Sequence, residues 1–202
     1  GDTNLNLFGV KNLTIEAGDD VALNAQGSTL DFLSITTHGT TPDAASIELI
    51  NMGGSQSLAV TDNGSGDFNL ALSSPTLLDF SFTATATGIR TAGGGIVTNG
   101  GDVTLNAVGV FNGTLGGITT AGGNVTVTSG GASSFISPLS ISGAFLVNAG
   151  GNATFVQALS GGGGLTVNSP GVTTFSGAIS GLNSLITDLP GSTVLAGGAL
   201  GV

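Results

Sequence analysis

One repeating unit of about 20 residues runs through most of this chain and constrains its fold more than any other feature. The clearest copy spans Leu165 to Phe175, where apolar and polar residues alternate before a glycine. With Leu165 as the first place, further copies start at Leu13, Leu33, Leu58, Phe80, Val103, Val125, Phe145 and Leu185. The intervals are 20, 25, 22, 23, 22, 20, 20 and 20 residues. A repeat of this length is typical of a solenoid, in which each repeat forms one coil that stacks on the next.

The first and third places of the unit predict a strand with one buried face. Every first place is apolar, and among the third places only Thr187 is polar. Places two and four are mostly polar, so the apolar residues recur with a period of two. The predicted core columns are Leu13, Ile15, Leu33, Ile35, Leu58, Val60, Phe80, Phe82, Val103, Leu105, Val125, Val127, Phe145, Val147, Leu165, Val167 and Leu185.

Glycine recurs at the seventh place, where the strand ends. The corner glycines are Gly39, Gly64, Gly109, Gly131, Gly151, Gly171 and Gly191, and Asp19 and Ala86 are the exceptions. We expect a tight corner with positive φ at these glycines, because a Cβ atom disfavours that conformation.

Two later places predict further walls of the core. The eleventh place is held by Leu23, Phe68, Phe135, Phe155, Phe175 and Leu195. Ile47 fits this column if residues 40–44 are an insertion, and the units from Phe80 and Val103 have no assigned member. The fifteenth place, held by Leu72, Leu139, Leu159 and Ile179, predicts a third and shorter wall.

These patterns predict an all-β fold, a right-handed parallel β-helix (β-solenoid) of about nine coils with roughly 20–25 residues per coil. No helical period appears and no linker divides the chain, so residues 1–202 are expected to form a single domain. Residues 1–12 would supply an initial strand or a cap, and residues 13–202 the stacked coils. An inserted loop is expected near residues 38–46.

Composition argues against several classes of function. The chain has 37 glycines, no Tyr or Trp and only 7% charged residues, which is unusual for a globular enzyme. The net charge is −10 with Lys11 and Arg90 as the only bases, so nucleic acid is not expected as a partner. No apolar run is long enough for membrane insertion. Cysteine is absent. We therefore expect no enzymatic activity, no cofactor and no metal.

The candidate catalytic residues have simpler interpretations. His38 is the only histidine, and its nearest acids in sequence are Asp43 and Glu48. A lone histidine in an inserted loop is more often solvated than catalytic. Asp19 and Asp20 would provide part of the carboxylate pair of a polysaccharide-degrading enzyme. A polar corner is the more economical interpretation of these two residues.

Two short motifs carry equally weak signals. Residues 63–67 (Asn-Gly-Ser-Gly-Asp) resemble a calcium-binding Gly/Asp repeat, but they occur once and depart from its spacing. Four Asn-x-Thr triplets match the glycosylation pattern, and a chain this rich in Asn and Thr produces them by chance. They begin at Asn12, Asn112, Asn124 and Asn152.

The outward second and fourth places form a hydroxyl-rich stripe, with Thr104, Asn106, Thr126, Thr128, Thr166 and Asn168 as its clearest members. Such a stripe would suit ice or glycans, including host or environmental glycans. Ordinary strand propensity on an uncharged surface explains it too. Ala59, Leu146 and Ile186 interrupt the stripe.

The two ends of the predicted rod are candidates for self-association. No charge follows Asp188, so the last coil would be uncapped and would expose unpaired strand edges. Either a longer chain continues there or another copy stacks head to tail, which gives an open filament. The residues expected at such contacts are Leu5, Leu7, Phe8, Leu195, Leu200 and Val202.

Three segments, residues 100–107, 118–131 and 175–188, resemble the repeats of bacterial surface adhesins of the filamentous-haemagglutinin and autotransporter-passenger type. The likeness covers roughly residues 88–202. It implies a right-handed β-helix, secretion to the bacterial cell surface and a fibrous or adhesive role. The leading hypothesis is therefore an extracellular structural β-solenoid, either a subunit of a self-assembling filament or a segment of an adhesin stalk. The alternatives are a binding module for ice or glycans and a polysaccharide-degrading β-helix enzyme.

Overall fold

The structure is a computed structural model, and it describes most of the chain. The described residues are 3–6, 12–17, 21–24, 29–37, 46–50, 53–62, 67–72, 76–78, 81–86, 88–93, 96–98, 100–113, 118–187, 191–198 and 200–202. Side-chain burial is described for residues 12–17 and 34–36 and for the described residues from 100 onward.

The first half of the chain contains eleven described strands. They are β1 (Thr3–Asn6), β2 (Asn12–Ala17), β3 (Val21–Asn24), β4 (Thr29–Thr37), β5 (Ser46–Ile50), β6 (Gly53–Asp62), β7 (Asp67–Leu72), β8 (Thr76–Leu78), β9 (Ser81–Ala86), β10 (Gly88–Gly93) and β11 (Ile96–Thr98).

The second half contains fourteen described strands. They are β12 (Val103–Ala107), β13 (Phe111–Gly113), β14 (Ile118–Thr120), β15 (Val125–Ser129), β16 (Ser133–Phe135), β17 (Leu139–Ile141), β18 (Phe145–Ala149), β19 (Ala153–Phe155), β20 (Leu159–Ser160), β21 (Gly164–Asn168), β22 (Val172–Phe175), β23 (Ile179–Ser180), β24 (Ser184–Thr187) and β25 (Ser192–Leu195).

The strands form three parallel sheets, and each coil contributes in turn to the walls of one solenoid. Sheet one has nine strands in the order β2-β4-β6-β9-β12-β15-β18-β21-β24. Sheet two has ten, in the order β1-β3-β5-β7-β10-β13-β16-β19-β22-β25, and sheet three has six, in the order β8-β11-β14-β17-β20-β23. Neighbouring strands come from successive coils, so the predicted all-β parallel solenoid is confirmed.

Sheet one takes one strand from each of the nine predicted units. The structure describes about five turns with their side chains, from Val103 onward, which is fewer than the predicted nine coils. Within these turns the inward columns are closely packed. Leu105, Val127, Val147 and Val167 are each fully buried and lie in register on neighbouring strands. Leu13 and Leu185 are partly buried against the same core.

Phenylalanine rings form a continuous stack along sheet two. Phe135 and Phe155 are stacked with ring centroids 4.7 Å apart, and Phe155 and Phe175 follow at 4.8 Å. Phe145 approaches Phe135 and Phe155 edge-on from sheet one, at 5.6 and 6.2 Å. Aromatic pairs in these geometries add stability beyond the burial of their area. The core is therefore continuous from coil to coil.

The predicted register of one unit is wrong by two residues. Phe82, not Phe80, pairs with Leu58 on one side and with Val103 on the other, so Phe82 occupies the first place. Ala84 then lies opposite Leu105 in the third place. Phe80 lies outside the described residues. With this register the seventh place falls on Gly88 rather than on Ala86, which removes one exception from the glycine column.

The structure also explains why the unit from Val103 has no large residue at the eleventh place. On β13, Phe111 pairs with Ser133 and Gly113 pairs with Phe135. The large ring has moved two places along the strand, and glycine occupies the place opposite Phe135. Phe111 is 2% exposed, and its ring lies 5.0 Å from that of Phe135. Two adjacent coils thus fill the same space with the large and small residues exchanged.

In the earlier strands of sheet two, the residues expected at the eleventh place do not all lie opposite one another. Leu23 pairs with Leu49, so Ile47 is not the member that lies opposite it. Leu72 was expected in the third wall, but it lies on β7 in sheet two, opposite Leu49. The third wall takes β8 instead. The expected initial strand corresponds to β1, which adds to the edge of sheet two.

Positive φ occurs at other glycines than those expected. Among the described residues it is found at Gly100, Gly122, Gly161 and Gly181, which precede the first-place strand. Gly131, Gly151, Gly171 and Gly191 do not have positive φ. The coil beneath leaves little space at Gly191, because a Cβ atom there would lie 2.2 Å from the carbonyl oxygen of Ser169. At Gly131 and Gly151 the nearest atoms would lie 3.1 and 3.3 Å away, so close approach between coils disfavours a side chain most strongly at Gly191.

Candidate interaction surfaces

The last coil exposes residues of the inward columns. Leu195 lies in register with Phe175, yet Leu195 is 51% exposed and Phe175 only 1%. Leu200 forms a parallel bridge with Ile179, and their exposed fractions are 53% and 2%. Val202 is also exposed. These three side chains form an apolar end face of the described solenoid, and we refer to them as the end face.

Contacts between coils include side-chain bonds at the corners. The backbone N–H of Asn124 donates to Oδ1 of Asp102 at 2.8 Å, and the backbone N–H of Ala144 donates to Oδ1 of Asn124 at 2.9 Å. At another corner, the N–H of Val172 donates to Oδ1 of Asn152 at 2.9 Å. Neighbouring coils are therefore joined in three ways, by paired strands, by apolar columns and by hydrogen bonds to side-chain acceptors.

The polar stripe on sheet one is in register. Thr104 lies opposite Thr126, and the next two strands place Leu146 and then Thr166 in the same column. The parallel fourth-place column contains Asn106, Thr128, Asn148 and Asn168. All eight side chains are half-buried, and Nδ2 of Asn168 donates to Oδ1 of Asn148 at 2.7 Å. Binding of ice or glycans by this stripe stays a prediction.

Exposed apolar residues on sheet two were not singled out from the sequence. Val110, Val172 and Val194 are 48%, 37% and 45% exposed and lie on or beside β13, β22 and β25. Val108, at the preceding corner, is 73% exposed. A signal was present in the sequence, since no Asp, Glu, Lys or Arg occurs in residues 103–187.

Several sequence candidates fall outside the described residues. These are His38, Asp43, Asp19, Asp20, Asn63, Leu7 and Phe8, together with Gly39 and Gly64. Glu48 lies on β5, and Leu5 lies on β1 opposite Leu23. Of the sequon asparagines, Asn12, Asn124 and Asn152 are exposed. Asn112 is half-buried, and its Oδ1 atom has no hydrogen-bond partner in the described part of the chain.

The described residues contain neither a metal-binding cluster nor a membrane-spanning helix. Among them, no three His, Asp or Glu side chains converge as a metal site would require. No helix of the length and apolar character needed to cross a bilayer occurs in the same part of the chain.

Comparison with protein-family models, with curated proteins and with solved structures gives no match to this chain.

Proposed function

We propose that this chain is a structural β-solenoid of the bacterial cell surface, a subunit of a self-assembling filament or a segment of an adhesin stalk. Its coils stack end to end. The resemblance of residues 88–202 to adhesin repeats supports the location and the fibrous role. The observation that carries the proposal is the unbroken stack of parallel coils, whose inward columns continue to Leu195 and Leu200 at the end face.

Contact with another coil would stabilise the end face, because it would remove apolar side chains from water. Leu195 and Leu200 each leave more than half of the side chain exposed, whereas their partners one coil earlier are almost fully buried. Apolar area stabilises a contact by roughly 25 cal/mol per Å² removed from water. Strands β24 and β25 each pair on one side only within the described sheets, so their outer edges offer backbone groups for a parallel strand.

The role of the protein is then mechanical. Parallel backbone ladders and a continuous core hold successive coils together, and each coil depends on its neighbours for burial. A second copy that stacks on the end face extends the same ladders. Because the two contacting surfaces differ, the contact does not close on itself and produces a filament.

Electron microscopy of the purified chain at several concentrations tests this proposal, and we expect unbranched fibres that lengthen with concentration. The disruptive variant is Leu195→Lys on the end face, and its matched control is Ile186→Lys on the side of the same coil. Leu195 and Ile186 are 51% and 54% exposed, so the two variants add the same charge at similar exposure. Only Leu195→Lys should shorten the fibres.

Short isolated rods at every concentration would overturn the filament form and favour the stalk segment. Equal loss of fibres in both lysine variants would show that added charge, and not the end face, controls assembly.

A further inference from the structure

We infer that the second half of sheet two is a lateral contact surface, through which two copies of this chain pack side by side and antiparallel. The surface consists of the outward-facing side chains of β13, β16, β19, β22 and β25, with the residues that flank these strands. We refer to it as the lateral face. It is separate from the end face, and the inference does not depend on end-to-end stacking.

The lateral face has no charge and is partly apolar. Its exposed valines are Val110, Val172 and Val194, and between them lie half-buried small polar residues such as Thr154 and Thr174. The surface of a soluble protein usually carries charged residues of both signs, which oppose association. Here that protection is missing from five consecutive strands.

The repeat itself favours a second copy as the occupant. The strands of the lateral face are parallel and in register without irregularity, so its side-chain rows recur at about 4.8 Å. A second surface with the same spacing can insert its side-chain rows between those of the lateral face along the whole contact. Dry interfaces between paired sheets interdigitate in this way. A partner without a β-sheet surface would lose this match after a few strands.

Charge selects the antiparallel arrangement. Ten of the twelve acidic residues and both basic residues lie in the first 100 residues, so the charge is concentrated in one half. Parallel packing would place two acidic halves side by side. Antiparallel packing about a two-fold axis overlaps only the second halves, which contain two acidic residues, and directs the strongly acidic halves to opposite ends.

The size of the surface sets the strength of the contact. Five strands about 4.8 Å apart and three to four residues wide give roughly 300 Å² per copy. A stable interface buries about 800 Å² per partner. An isolated pair should therefore associate weakly and reversibly, and copies that are also joined end to end should associate much more strongly.

Disulfide cross-linking tests this inference cleanly, because the chain contains no cysteine. Thr154 lies on β19, the central strand of the lateral face, so a two-fold axis there brings it close to its own copy. We expect Thr154→Cys to form dimers at least about fivefold faster than Thr166→Cys, since contact raises the local thiol concentration. Thr166 is the matched control, because it is also a half-buried threonine on a strand but lies on sheet one.

A second variant separates contact from chance collision. Val172→Lys added to Thr154→Cys should lower the cross-linking rate to that of Thr166→Cys, while far-UV circular dichroism stays unchanged. Equal rates for the two single-cysteine variants, or no effect of Val172→Lys in a folded protein, would overturn the inference. Fibres seen by microscopy would leave this result unaffected, so the two proposals fail independently.

Discussion

Replacement of Phe155 by alanine tests the stacked core most directly. The ring is 2% exposed and lies between Phe135 and Phe175, with interplanar angles of 7° and 13°. A buried aromatic side chain removes about 150–250 Å² from water, which corresponds to at most about 4–6 kcal/mol. Measured Phe-to-Ala changes in cores cost about 3–5 kcal/mol. We therefore expect Phe155→Ala to lower the free energy of unfolding by about 4 kcal/mol.

Urea denaturation followed by far-UV circular dichroism measures this loss, and amide hydrogen exchange locates it. Exchange should accelerate most in the coils that contain Phe135 and Phe175, because each coil contacts only its neighbours. Leu195→Ala, in the same column, is the internal comparison, and its half-exposed side chain should cost only about 1 kcal/mol. If both variants lose the same small amount, the rings do not form a buried stack and the reasoning fails.

Three further substitutions test other parts of the fold. Val147→Asp places an unpaired charge at a fully buried position and should cost several kcal/mol in urea denaturation; an unchanged midpoint would show that the third-place column does not face inward. Gly150→Ala would place a Cβ atom 2.1 Å from the carbonyl oxygen of Gly130, and it should lower the free energy of unfolding by about 1–3 kcal/mol. Gly162→Ala has no atom within 4 Å of the added Cβ and should change the free energy of unfolding by less than about 1 kcal/mol. Equal effects of the two variants would contradict close contact between coils. Asn112→Thr removes the buried Oδ1, which has no hydrogen-bond partner among the described side chains, and should raise the melting temperature by about 2–4 °C in calorimetry. A decrease would mean that the amide has a stabilising role.

The repeat predicts the class of fold because it combines two periods. The period of two places Val127 and Val147 on one face of their strands, and the period of about 20 places them above one another. Neither property depends on the exact packing of neighbouring side chains. The columns from Val103 onward follow directly from these two periods.

The register of the fourth unit was beyond the same reasoning. Phe80, Phe82 and Ala84 all have the same parity, so a slip of two residues keeps every side chain on its face. Pairing with Leu58 and Val103 in the structure establishes Phe82 as the first place. The glycine column held a further clue, because this register alone places a glycine, Gly88, at the seventh place.

The exchange of large and small residues between neighbouring coils could not be predicted from the sequence either. Phe111 and Gly113 on one coil fill the space that Ser133 and Phe135 fill on the next. A search for apolar residues at a fixed place fails there, since packing constrains the summed volume of neighbouring coils rather than each position. The surfaces were less predictable still, because exposure of Val110 depends on which way the chain turns after its corner.

A pair of threonine hydroxyls in the last coil bears on the proposed stacking at the end face. The third-place column contains valine in three successive coils and then Thr187. The Oγ1 atoms of Thr187 and Thr193 lie 2.8 Å apart in a hydrogen bond that links sheet one to sheet two within the last coil. Thr193 donates this bond to Thr187, so a coil that covers the pair would bury one satisfied O–H group and would have to supply an acceptor for the O–H group of Thr187. Leu195 and Leu200 supply the apolar area in the same coil, and in the proposed stacking their burial would offset that requirement.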